Sequence, residues 1–440
     1  MKLIVQNTLF TPISQFIHRS TSGGLVLFAS AFAAIVLANS PFQEAYHHFW
    51  EKTFTIGFEG SQLSKSLHHW INDGLMAVFF FVIGLELKRE IMAGELSNPK
   101  EAVLPIMAGL GGMVLPACIY LLINRGVPEA SNGWGIPMAT DIAFALGIVY
   151  LLGDKVPFSL KIFLTALAIA DDIGAVLVIA FFYSSDISLV HLWVGLGLLG
   201  VLGLGNYLGV RTSFFYGIIG IGGVWVAFVT SGVHATIAGI LSALLIPANV
   251  IVSEKKLIQK LNILGDRLEK TPANESSLLT EEQQHIISEI RTYAKMAMTP
   301  LQRLEHGLHP FVNFFIIPVF AFANAGVTLD STAFEGLLST VTIGTFLGLF
   351  VGKIGGILGI SYLTIRLGWA DLPQGTSWKQ LVGASSLAAV GFTMSLFVTE
   401  LAFENPIYIA QAKMGILVAS LMGGLLGYFM LKKAKSSTTS

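Results

Sequence analysis

The sequence predicts an all-α polytopic membrane protein of twelve transmembrane helices, and three observations predict it. Of 440 residues, 53% are hydrophobic and 12% charged, where a soluble chain carries about 25% charged residues. Apolar segments fall near residues 20–39, 67–91, 101–124, 133–154, 157–184, 187–209, 213–231, 233–247, 305–328, 336–365, 377–402 and 406–431. Most come close to the ~20 residues a helix needs to cross the hydrocarbon core. Lysine and arginine are also one-sided. With the N-terminus inside, 21 of the 26 lie in inner segments and only Lys52, Lys65 and Arg125 in outer ones. Positive charge marks the cytoplasmic face, so both termini are expected there. Net charge is −1, which gives no global field for nucleic acid.

The elements follow in order. Lys2 and Arg19 precede an apolar run at 24–38, the outline of a signal peptide, but so many spans follow that it reads as a retained first helix. The first outer loop holds TFTIGFEG at 53–60, with apolar residues at 54, 56 and 58. That alternation predicts a short hairpin able to pair with another chain's edge. The single cysteine, Cys118, excludes an intramolecular disulfide and reads as a small buried hydrophobe in span three. The eighth segment is the shortest and fits either a full span or a half-helix. Three regions result: spans one to eight over 1–250, a polar cytoplasmic insertion over 251–303, and spans nine to twelve with a tail over 304–440. Within the insertion, Thr280 and Gln283 form a capping-box pattern before apolar residues at 286, 287, 290 and 293. An amphipathic helix is expected there, as a connector or a regulatory element. Spans 3–5 and 10–12 run in opposite directions and fit inverted repeats.

The residues that carry chemistry lie inside these spans. Asp171 and Asp172 occupy the middle of IFLTALAIADDIGAVLVIAFF, residues 162–182. One ionised side chain at that depth costs roughly 2.5–3.5 kcal/mol on insertion scales. Neighbours on a helix point about 100° apart, so the two acids have different partners and different roles. The obvious counter-charge is Lys353 in span ten, as an ion pair of structural or functional purpose. Gly344, Gly348, Gly352 and Gly356 recur around it every four residues, which lets another helix approach closely. In span four, Pro137 lacks a donor N–H and Thr140-Asp141 is a good cap for a half-helix starting in mid-membrane. Asp141 there balances exposed helix ends or ligates directly. Gly391, Thr393 and Ser395 in span eleven fit a matching break. At the inner end of span two, Glu86, Lys88, Arg89 and Glu90 stand together, and Arg303, Glu305, His306 and His309 open span nine. Clustered carboxylates and imidazoles fit a pH-responsive surface or an ordinary solvated helix end. His234 stands at a span's outer end. GLGLLG at 195–200 matches a dinucleotide fingerprint by letters only, without the strand–helix context it needs.

The chain resembles the bacterial NhaA-type sodium/proton antiporters. The resemblance rests on WINDGLMAVFFFVIGLELKRE (70–90), GIPMATDIAFALG (135–147), LAIADDIGAV (167–176), SGVHATIAG (231–239), RLEHGLHP (303–310), PVFAFANAGV (318–327), GLFVGKIGGI (348–357) and GFTMSLF (391–397). It implies two broken helices crossing at mid-membrane, with Asp141, Thr140 and Lys353 compensating their ends. It implies that Asp172, with Asp171, binds the ion and the proton, and that Asp171 pairs with Lys353. Glu86, Arg89, Glu90, Glu305, His306 and His309 would form a pH-responsive funnel, and His234 would be a further pH-response residue on the periplasmic side. It further implies a bacterial inner-membrane location, a homodimer through the 53–60 hairpin, and electrogenic export of Na+ or Li+ in exchange for H+. The long insertion departs from the commonest family pattern.

The residues themselves support exchange. Burial penalises a bare carboxylate charge, and either a proton or a cation relieves it. The two therefore compete for the same oxygens, and no cofactor is needed. A sodium-coupled solute symporter is the alternative and would need a larger polar cavity. An intramembrane aspartyl hydrolase would need two carboxylates to converge on one water, which Asp141 and Asp172 on separate spans could supply.

Overall fold

The computed structural model describes residues 22–58, 61–183, 188–271, 278–329 and 336–434. Lys2, Arg19 and Lys435 lie outside these, as do residues 59 and 60 of the outer hairpin. Nearly everything described is helical. Among the described residues, nine helices are long and apolar enough to span: α3 (Leu67–Ala93), α4 (Pro99–Ile123), α5 (Pro128–Lys155), α6 (Phe158–Phe182), α7 (Leu189–Tyr207), α8 (Ser213–Ser231), α12 (Pro300–Asn324), α13 (Thr340–Arg366) and α16 (Pro406–Lys433). Three further apolar segments complete the expected twelve. α1 (Ser22–Ala38) turns by 113° into α2 (Gln43–Glu51), and α14 (Trp378–Ala388) bends by 42° into α15 (Phe392–Ala402). The shortest, α9 (Ala235–Leu244), is a ten-residue helix of half-span length.

The outer hairpin forms as the alternation predicts. β1 (Thr53–Phe58) pairs antiparallel with β2 (Ser61–Ser66), Thr53 opposite Ser66 and Ile56 opposite Leu63. Phe54 and Ile56 are exposed. The insertion contains two helices where the sequence reading expected one. α11 (Glu281–Ala297) starts with the Thr280–Gln283 capping box. α10 (Glu254–Lys270) precedes it, and its Ser253 makes no side-chain cap, so the usual N-terminal signal is missing. Cys118 corrects the sequence reading: it is exposed on the surface of α4, not buried.

The helices pack as two bundles with a shared centre. One apolar cluster joins α3, α7, α8, α9 and α12 around Phe81, Leu202 and Phe228. Another joins α4, α5, α6, α13, α14 and α16 around Leu160, Leu167, Ile357 and Leu387. A third, through Phe80, Phe320 and Phe397, binds the two together. The glycine repeat of α13 packs on α4, as its spacing predicts. A methyl at Gly344 would meet Tyr120 and Asn124, at Gly352 Pro116, and at Gly356 the Gly111 carbonyl. With no hydrophobic gain from pressing apolar helices together in lipid, such backbone contact supplies the attraction.

Candidate ion-binding site

The two discontinuous spans are built by their own sequences. Pro137 lies in the short 3-10 helix Asn132–Met138, and helical structure resumes at Ile142 after Asp141. In the other, Ala388 ends α14 and Gly391 caps α15. Each is the middle member of its triplet, α4–α6 and α13–α16, as an inverted repeat requires. The breaks meet. Asp141 N donates to the Val390 carbonyl at 2.6 Å, Thr140 Oγ1 to the Ala388 carbonyl at 3.0 Å, and Ser395 Oγ to the Ile136 carbonyl at 2.9 Å. Backbone groups freed in mid-membrane must find partners inside the protein, and here each break supplies them to the other.

Asp141 serves two helix N-termini at once. Its Oδ1 accepts from Phe144 N at 3.0 Å, and its Oδ2 accepts from Thr393 N at 3.0 Å and Thr393 Oγ1 at 2.6 Å. Each helix start carries about half a positive charge, so two starts offset one carboxylate. The opposite ends are met by donors. Lys353 Nζ donates to the Met138 carbonyl at the end of the first half-helix.

Lys353 also pairs with the acid helix. α6 is unbroken and carries Asp171 and Asp172 at its middle, 0% and 2% exposed. Lys353 Nζ lies 2.9 Å from Asp171 Oδ2, and Thr140 Oγ1 donates to the same oxygen at 2.8 Å. A π-helical turn, Gly348–Gly352, comes immediately before Lys353. Such turns insert one residue and redirect those that follow. Asp171 Oδ1 and Asp172 Oδ1 have no hydrogen-bond donor among the described residues. Beside them α4 presents glycine: a methyl at Gly109 would stand 3.2 Å from Asp171 Oδ1. The cradle thus holds two free carboxylate oxygens, with no side chain laid over them from Gly109.

The remaining expected residues fall in two places. At the insertion end of α3, Arg89 bridges Glu305 at 2.9 Å and Glu90 at 3.0 Å, and His309 Nε2 lies 3.8 Å from Glu86 Oε1. Five of the six predicted residues therefore converge, and His306 beside them is exposed. His234 is not among them: it stands at the N-cap of α9. Lys88 donates to the Leu244 and Ile246 carbonyls, closing the other end of α9.

A polar group that sequence reading missed lies at the opposite end of α3. Lys413 bridges Glu400 at 2.8 Å, while His68 bonds Asn324, which exchanges a hydrogen bond with Asn72. Lys413 within a span was a signal that a buried acid should be sought.

The profile of the family described as Na+/H+ antiporter 1 matches residues 14–431. A protein of Oleidesulfovibrio alaskensis named Na(+)/H(+) antiporter NhaA is 48% identical over 429 residues, 96% of this chain and 94% of its own length. Na(+)/H(+) antiporter NhaA 2 of Syntrophotalea carbinolica is 47% identical over 97% of both chains. Na(+)/H(+) antiporter NhaA of Acidithiobacillus ferrooxidans is 47% identical over 97% of this chain and 99% of its own.

Proposed function

This chain belongs to the Na+/H+ antiporter 1 family and exchanges Na+ for H+, and we propose that Asp172 is the carboxylate the two ions share. The observation that carries this is the charge balance of the buried site. Asp141 is offset by two helix starts and Asp171 by Lys353. Asp172 is the remaining acid, buried, with Oδ1 unpartnered. An uncompensated buried charge costs several kcal/mol. A bound proton or a bound Na+ removes most of that cost, so the loaded forms reorient and the bare form does not. Obligatory exchange follows from that asymmetry.

Asp171 Oδ1 supplies a second hard oxygen beside the cargo ion, and Li+ fits the same donor set. Import of more than one proton for each Na+ exported needs a second titrating group. The Asp171–Lys353 pair is the nearest: cation binding that draws Asp171 away from Lys353 weakens the hold on the lysine's proton. The Arg89, Glu86, Glu90, Glu305 and His309 cluster would regulate this with pH, because it ties α3 to α12 through the Arg89–Glu305 ion pair and sets His309 against Glu86. The protein would lie in the bacterial inner membrane with both termini cytoplasmic, paired with a second copy through the β1–β2 hairpin.

A sodium-coupled symporter would need a further polar chamber for its solute, whereas the Thr140 hydroxyl and the Lys353 ammonium beside Asp171 are already bonded within the site. A hydrolase would need Asp141 to share a water with Asp172, whereas both oxygens of Asp141 are bonded to helix ends.

The test is proton movement in inside-out vesicles on adding NaCl, LiCl or KCl. Na+ and Li+ should discharge the proton gradient in the native protein and not in Asp172→Asn. Discharge that survives in Asp172→Asn overturns the assignment of Asp172.

A further inference from the structure

The insertion carries an apolar surface outside the buried acid site. α10 and α11 form an antiparallel hairpin, closed at its root by Ile251 N donating to the Met296 carbonyl at 3.2 Å. Leu264 and Ile286 are buried between the two helices, 0% and 1% exposed. One side of the hairpin is sealed by polar contacts. Lys260 sits 5.1 Å over the Tyr293 ring, and Arg267 lies 3.7 Å from Glu289.

The other side is apolar and open. At about 100° per residue, Ile258 and Leu261 continue the stripe of Leu264 away from Lys260 and Arg267. Ile287 continues the stripe of Ile286 away from Tyr293 and Glu289. Because the helices are antiparallel, both continuations emerge on the same side. Ile258 is 51% exposed, Leu261 36% and Ile287 41%, so all three reach the surface. Charge is divided across this side. Glu254, Glu269 and Asp266 outnumber Lys255 along the α10 stripe, and Arg291 and Lys295 flank the α11 stripe, all exposed.

We propose that this face is an interface between two copies of the chain. A leaflet of anionic headgroups would repel Glu254 and Glu269. A second copy meets both signs. A two-fold axis parallel to the two helices sets α10 of one chain against α11 of the other, so apolar stripe faces apolar stripe and acidic margin faces basic margin. Glu254 and Lys295 both lie in the turn nearest the root, so the rotation brings unlike charges to the same height. The contact is independent of the β1–β2 hairpin, which lies on the opposite side of the membrane by the chain's own path.

The test is cross-linking between differently tagged chains co-expressed in membranes, in a Cys118→Ser background. One chain carries Leu261→Cys and the other Ile287→Cys, so any mixed disulfide joins two molecules. Oxidation should give the mixed dimer several-fold above a pair made with Ile263→Cys, which is exposed on a different side of α10. Lys295→Glu should reduce the yield, and adding Glu254→Lys on both chains should restore it. Sodium-driven proton movement is followed in the same vesicles, so loss of cross-linking with exchange intact counts against the interface alone. Equal yield from Ile263→Cys, or no mixed dimer, overturns the proposal. So does quenching of a fluorophore on Ile287→Cys by brominated lipid, which would make the membrane the occupant.

Discussion

Among single residues, Asp141, Lys353 and Thr393 differ in what their loss should do. Thr393→Val removes one donor from Asp141 and leaves the backbone donors in place. A hydrogen bond between helices in a bilayer is worth ~0.6–2 kcal/mol, so unfolding in mixed micelles should shift by that amount with exchange reduced but present. Lys353→Ala leaves Asp171 as an unpaired buried charge, and removing one member of such a pair costs about 3–5 kcal/mol. Stability should fall more than Na+ binding does. Native stability with exchange abolished would remove the pair's role as a strut and leave only its role with the proton. For Asp172, one carboxylate shared by competing ions predicts that the apparent Na+ affinity weakens about tenfold for each unit the pH falls, in the range where the proton holds the site. Initial rates against Na+ concentration at several pH values read that slope. The acid pair and Lys353 were legible in the sequence because charges in mid-membrane are rare enough that three of them ask for one another. The Met138, Ala388 and Val390 carbonyls were not, since every residue carries that acceptor and no side chain announces its use.

Elements were legible to the extent that their ends carry side-chain signals. The break in α5 showed itself through Pro137 and the Thr140-Asp141 cap, and α11 through its capping box. α10 has no side-chain cap and was missed. The turn into α2 was missed too, because QEAYHHFWE has neither an apolar run nor a cap bond at Phe42. The π-helical turn before Lys353 is a backbone choice that the surrounding glycines permit without advertising. The glycine spacing of α13 was legible, and its partner was not. It yields a prediction at this scale. Gly356→Leu forces α13 from α4, where Gly111 and Gly356 are already backbone to backbone. Overpacking of this kind costs ~1–3 kcal/mol or more. It should lower thermal stability and exchange together. Gly359→Leu should lower neither, because a methyl added at Gly359 would meet nothing within 4 Å among the described residues.

At the scale of the whole molecule, α3 and α12, two members of one bundle, are tied to each other at both ends. Arg89 and Glu305 tie α3 to α12 at one end, and Asn72 and Asn324 tie the same helices at the other. Arg89→Met releases one tie only. It should shift the pH dependence of exchange while leaving the maximal rate within a few-fold, measured as Na+-driven proton movement across pH. A flat loss of rate at every pH would instead place Arg89 in the transport path. The crossing of the two breaks has a consequence for biogenesis. Thr140 and Ala388 are 248 residues apart in the chain, and Asp141 and Thr393 are 252 apart. A ribosome adding 5–20 residues per second needs about 12–50 s to make that stretch. For that interval the fourth span has its Pro137 gap and its acid, but neither the carbonyls nor the amides that will satisfy them. Either the span waits at the translocon, or it enters lipid as a provisional helix and opens when the eleventh arrives. In this protein the ion site is therefore a timing problem before it is a binding site.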